Sequence, residues 1–97
     1  MTAPVAGGFD VVDRGAGRVA AGGVLDERGA DLLHGVALAL QGRGHRRIEV
    51  DLAGVRAASA VGVRMLDATR RALTAELVLL HAETVLPAPG VRPPPPG

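Results

Sequence analysis

The chain has 97 residues, 47% hydrophobic and 22% charged, with a net charge of +1; this fits one small globular domain and excludes a multidomain arrangement. It has no Cys, Trp, Tyr or Lys and a single Phe, so disulfides and thiolate chemistry are excluded and a core must be packed from Val, Leu and Ala. Arginines without interleaved aromatics supply no stacking platform, and no nucleic-acid surface is expected.

Residues Phe9 to Asp13 read as a short extended segment, and Arg14-Gly15-Ala16-Gly17 as a turn. Arg18 to Leu25 extends again, so a hairpin is expected. Gly15-Ala16-Gly17-Arg18-Val19-Ala20 formally matches a dinucleotide fingerprint. That motif requires its glycines to open a helix, whereas these lead into a strand, so a hairpin turn is the better reading. Asp26 can cap a helix over residues 28–41, in which Leu32, Leu33, Val36 and Leu40 form one buried stripe. Gly29 and Gly35 weaken this helix, and Gly42 and Gly44 end it.

Ile48, Val50 and Leu52 alternate with Glu49 and Asp51, the pattern of a half-buried strand whose end Asp51 would anchor. A loop over Gly54 to Ala60 follows, with Ser59 as a favoured N-cap for an amphipathic helix from Val61 to Leu73. Met65, Leu66, Thr69, Ala72 and Leu73 would face the core of the domain; Arg64, Asp67, Arg71 and Thr74 would face solvent. Leu77-Val78-Leu79-Leu80 reads as a buried strand. The succession β-β-α-β-α-β implies an α/β fold, a small mixed sheet with helices packed on it. The expected organisation is a flexible N-terminus over 1–8, a domain over 9–86 and a disordered proline-rich tail over 87–97.

Met1-Thr2-Ala3-Pro4 carries neither the basic nor the apolar region of a signal peptide, and no apolar run reaches membrane-spanning length. A cytoplasmic protein without membrane insertion is expected. Residues 1–42 hold three Arg against five acids and residues 43–97 eight Arg against five, a bias that fits a GC-rich coding background. His34, His45 and His81 lack metal-ligand spacing; His34 and His45 are expected to face solvent and His81 to end a strand. Asp26, Asp51 and Ser59 have no positioned His or Lys to make a nucleophile and base. No enzyme activity, metal or cofactor is expected.

Three short runs resemble the STAS family, named for sulphate transporters and anti-sigma factor antagonists. Gly23-Val24-Leu25-Asp26 is similar to the family's Gly-Glu-Leu-Asp, and Asp51-Leu52-Ala53-Gly54-Val55 to its Asp-Leu-Ser-Gly-Val. Ser59-Ala60-Val61-Gly62 stands where the family has Asp-Ser-Ser/Thr-Gly, with Gly62-Val63-Arg64-Met65-Leu66 continuing into the helix. The resemblance covers most of residues 9–80 and implies a STAS-like sheet with helices against it. It further implies a bacterial regulator of transcription that binds a kinase-type anti-sigma factor and so releases a sigma factor.

In such regulators the first Ser of the quartet is phosphorylated by that kinase, and the added charge, roughly −1.5 to −2, breaks the complex. Here that position is Ala60, which cannot be phosphorylated. Ser59 is a poor surrogate, because a one-residue shift turns a side chain by about 100° around the helix. The resemblance thus implies a partner-binding domain without the usual phospho-switch, with Asp26, Arg56, Ser59, Ala60, Val61, Gly62, Arg64 and Asp67 at its docking surface. Family members also carry a further C-terminal helix for which this chain leaves at most one turn. An uncovered apolar sheet would favour a partner or weak self-association, or mark a degenerate inactive homologue. The remaining alternatives are an accessory STAS subunit of a lipid or anion transporter and a small-ligand or nucleotide-binding module.

Overall fold

The structure, a computed structural model, describes residues 5–6 and 8–82. Strands β1 (Val5–Ala6), β2 (Phe9–Gly15) and β3 (Arg18–Leu25) precede helix α1 (Glu27–Gly42). Strand β4 (Arg47–Ala58), helix α2 (Ala60–Ala72) and strand β5 (Glu76–Leu80) follow. The strands form one mixed sheet in the order β1-β2-β3-β4-β5. β1–β2 and β2–β3 are antiparallel, and β3–β4 and β4–β5 are parallel. The expected β-β-α-β-α-β order is present, preceded by the two-residue β1 inside the segment expected to be a flexible N-terminus. The tail at 87–97, and the end of the domain at 83–86, lie outside the described residues.

Alternation along the strands decides which face is covered. Phe9, Val11, Val19, Ala21, Ile48, Val50, Leu52 and Leu77 are buried beneath α1 and α2. The intervening Val12, Ala20, Glu49, Asp51, Val78 and Leu80 are half-buried or exposed, and this open face carries the ion pairs Arg14–Asp51 (3.6 Å) and Arg18–Glu49 (3.9 Å). Two parallel crossovers in the same direction along the sheet put their helices on one side. Leu33, Ala37 and Leu40 of α1 and Leu66 of α2 close the core there.

The loop expected over Gly54 to Ala60 is strand as far as Ala58. β5 pairs with β4 only up to Asp51–Leu80, after which β4 continues against β3 alone, through Gly54–Gly22 and Val55–Gly23. Asp51 therefore lies midway along the strand and does not anchor its end. Its Oδ1 accepts the Ala53 N–H at 2.9 Å where the β5 ladder stops. Two register shifts accompany this extension, so that Leu52 and Ala53 oppose Ala21 and Arg56 is left unpaired between Val55 and Ala57. Such bulges bend a strand and re-aim its side chains.

Two histidines also depart from expectation. His34 does not face solvent: its Nδ1 is 2.8 Å from the Thr69 hydroxyl, which ties α1 to α2 and supplies a partner to a buried polar group. His45 is half-buried with its ring against Gly17 in the β2–β3 turn. Ala72, expected on the inner face of α2, is exposed, because it lies beyond the stripe formed by Gly62, Leu66 and Thr69. His81 follows directly on the end of β5, as expected.

Candidate functional site

Both helices begin at the carboxyl ends of neighbouring parallel strands, and their first turns are built alike. Asp26 takes extended backbone angles and its Oδ1 accepts the Gly29 N–H at 2.9 Å. Ser59 does the same for α2, its Oγ accepting the Gly62 N–H at 3.0 Å. Each cap satisfies an amide that the helix itself cannot. The two starts are joined through Leu25, whose carbonyl accepts the Ser59 N–H at 2.9 Å.

Gly62 sits directly on that carbonyl. A Cβ there would lie 2.3 Å from the Leu25 oxygen, so only glycine lets α2 start this close to β3. Gly62 is buried, and its place in a docking surface is corrected to one of packing: it fixes the height of the helix, and a partner cannot reach it. Asp26 and Ser59 are half-buried and engaged as caps. The exposed members of the set are Arg56, Ala60, Val61, Arg64 and Asp67.

Ala60 is the first residue of α2, open to solvent, and Val61 beside it is 40% exposed. From Ala60 the positions Arg64, Asp67 and Arg71 recur at intervals of three or four residues and so lie along one line of the helix. Asp67 and Arg71 form an ion pair in the favourable order for a helix, acid before base. Arg64 and Arg56 belong to no ion pair among the described residues. A shallow groove of about 390 Å³ runs beside this line, bounded by Val63, Arg64, Asp67, Ala68 and Arg71. Val63, Ala68 and Arg71 lie within the helix expected to carry the surface, from Val61 to Leu73, but were not singled out from the sequence, although their helical spacing from Ala60 was the available signal.

Thus Ser59, Ala60, Val61, Gly62 and Arg64 gather at the start of α2, and from the apolar pair Ala60 and Val61 a row of charges continues along the helix through Asp67 to Arg71. Arg56 lies on β4, at a bulge three residues before the helix cap. The described residues contain no group of three or more His, Asp or Glu placed to hold a metal ion. No helix among them is long and apolar enough to cross a membrane. The site is a ridge of exposed charges beside an exposed apolar pair.

No protein-family model and no curated protein matches the chain. Among solved structures it is similar to the crystal structure of Mglu, with a TM-score of 0.60 and 25% sequence identity. The match covers 78% of this chain and 20% of that one, so the chain spans about a fifth of the structure it resembles. This likeness supports the α/β architecture of two helices on a small mixed sheet.

Proposed function

We propose that the chain is a STAS domain of the anti-sigma factor antagonist type, a non-enzymatic cytoplasmic regulator that binds a kinase-type anti-sigma factor through the start of α2. The observation that carries this reading is the state of the Ser59–Gly62 quartet. Two parts of the frame are kept, a capping side chain at Ser59 and a glycine at Gly62 that packs directly on the Leu25 carbonyl, whereas the positions between them are Ala60 and Val61. Within that frame the one exposed position that would carry the regulatory hydroxyl is Ala60.

In a regulator with serine at this place, phosphate would sit at a helix N-terminus, where free amides and the helix dipole favour an anion. The domain would tolerate it, while the partner's surface would be repelled. Ala60 accepts no phosphate, and the Ser59 hydroxyl is half-buried on the Gly62 amide. The surface therefore stays in its docking-competent form whatever the activity of the kinase.

Calorimetric titration of the folded chain into a kinase-type anti-sigma factor tests this. Binding is expected with ADP and to persist after incubation with ATP, with no phosphate gained by intact mass. Arg64→Glu is expected to weaken it, through slower association and an altered salt dependence, as reversal of a rim charge does. Folded protein that binds no such factor would sink the proposal, and phosphate mapped to Ser59 would overturn the loss of the switch.

A further inference from the structure

The opposite end of the molecule holds a second concavity, remote from the quartet. Where α1 ends and β5 begins, a cleft of about 410 Å³ is lined by Gln41, Gly44, His45, Arg46, Thr74 and Ala75. Its shape depends on one side chain. The Gln41 Oε1 accepts both the Thr74 N–H (2.7 Å) and the Ala75 N–H (2.9 Å), clamping the α2–β5 connection against the last turn of α1. Two amide donors on one atom identify it as the oxygen, which leaves the Gln41 Nε2 with two N–H groups to offer.

The lining is rich in donors: the Gln41 amide, the His45 imidazole, the Arg46 guanidinium and the Thr74 hydroxyl, with no carboxylate among them. The segments that form it extend the pattern. Residues 42–47 and 70–75 contain Arg43, Arg46, Arg47, Arg70 and Arg71 and no acid. Arg47 pairs with Glu49 at 4.0 Å and Arg71 with Asp67, whereas Arg43, Arg46 and Arg70 have no ion-pair partner among the described residues. The nearby counter-charge is Glu76, whose N–H donates to the Arg46 carbonyl at 2.8 Å and which stands in register with Arg47. Helix C-termini attract cations, which accounts for Arg70 and Arg71 at the end of α2, but not for Arg46, which lies beyond the turn that ends α1.

We infer that this cleft binds a small, multiply charged phosphate compound. Charge and donors match its oxygens, and Arg46 can hold two of them at once. The cleft has no Phe, Tyr or Trp, so hydrogen bonds to oxygens and not a broad stacking face dominate what it offers, and the class of ligand is a polyphosphate or a phosphorylated polyol.

Amide NMR shifts of the full chain titrated with pyrophosphate, at about 0.15 M salt to screen loose ion pairing, test the inference. Saturable shifts are expected at Gly44, His45, Arg46, Thr74 and Ala75. Arg46→Ala, which keeps the backbone carbonyl that Glu76 uses, is expected to bind about tenfold more weakly with an unchanged circular dichroism spectrum, and Arg64→Ala to bind as the parent does. Shifts that never saturate and spread over all the arginines would overturn the inference, as would equal binding by Arg46→Ala. Sedimentation with phosphatidylglycerol vesicles without any pyrophosphate binding would overturn it too, assigning the cations to a lipid surface.

Discussion

The starts of α1 and α2 are two versions of one construction. In each an oxygen-bearing side chain, Asp26 or Ser59, caps the amide of a glycine three residues on, Gly29 or Gly62. In each that glycine is buried because something lies where a Cβ would be. The obstacles differ. Against Gly29 it is the Phe9 side chain, with Cγ 2.8 Å from a would-be Cβ, whereas against Gly62 it is the Leu25 carbonyl oxygen at 2.3 Å. A side chain can turn or shift with local repacking, but a backbone carbonyl inside a ladder moves only if the strand moves. The α2 start is therefore the more rigidly specified of the two, and it is the one that presents Ala60 and Val61 to solvent.

Gly62→Ala should give the largest effect. Alanine is the better helix former by up to about 1 kcal/mol, yet the overlap with the Leu25 oxygen forces α2 away from β3, and a net loss of about 3 kcal/mol is expected in urea unfolding. Gly29→Ala should cost less, about 1 kcal/mol, because Phe9 can yield and the gain in helix propensity offsets part of the strain. If Gly29→Ala proved the more damaging of the two, the ranking of backbone over side-chain obstacles would be broken. The caps come next. Asp26→Ala and Ser59→Ala each remove one bond to a helix amide and should each lower stability by about 1 kcal/mol, measured in the same way. Near-equality of the two would sharpen the comparison, since it would place the difference between the helix starts in the glycines and not in the caps.

These capping residues were legible in the sequence because they act locally: Asp26 and Ser59 stand directly before a helical repeat of apolar residues, and their roles need no tertiary knowledge. The hairpin turn, the alternation at Ile48, Val50 and Leu52 and the strand ending in Leu80 were legible for the same reason, although β5 lies at the edge of the sheet with Leu80 exposed and is not the buried strand expected. The second half of β4 was not. Ala53, Gly54, Arg56, Ala57 and Ala58 have little preference for a strand, and they extend because β3 offers them a ladder, with Gly22 and Gly23 as partners for Gly54 and Val55. The glycines also read in the wrong direction. Gly29 looks like a defect in a helix when only propensity is weighed, and its use appears only when Phe9 is packed on it. His34 was misplaced because its partner, Thr69, is 35 residues away on the other helix. For the candidate site, the quartet and Arg64 were visible as a motif, while the groove beside Val63, Ala68 and Arg71 emerges only once α2 is seated and its outer line is known.

The smallest change in stability is expected from the substitution with the clearest consequence for the proposed function. Ala60→Ser places a hydroxyl at the first position of α2, on a side chain already open to solvent. It meets no packed neighbour, and its cost in helix propensity is at most about 0.5 kcal/mol, so thermal unfolding should barely move. The chemical outcome is distinct. With a kinase-type anti-sigma factor and ATP, the Ala60→Ser chain should gain one phosphate by intact mass and then lose its affinity for that factor, while the parent chain gains none and stays bound. The α1 start provides the internal control, since Glu27 occupies the matching position there and already places a carboxylate in the first turn, so a kinase that read helix starts in general would meet an acid and no hydroxyl. Phosphate found on Ser59 in the Ala60→Ser chain would mean that the kinase reads the cap and not the first helical residue. An unmodified Ala60→Ser chain that still bound its factor would mean that the quartet preserves the shape of a switch in a surface no kinase of this class addresses.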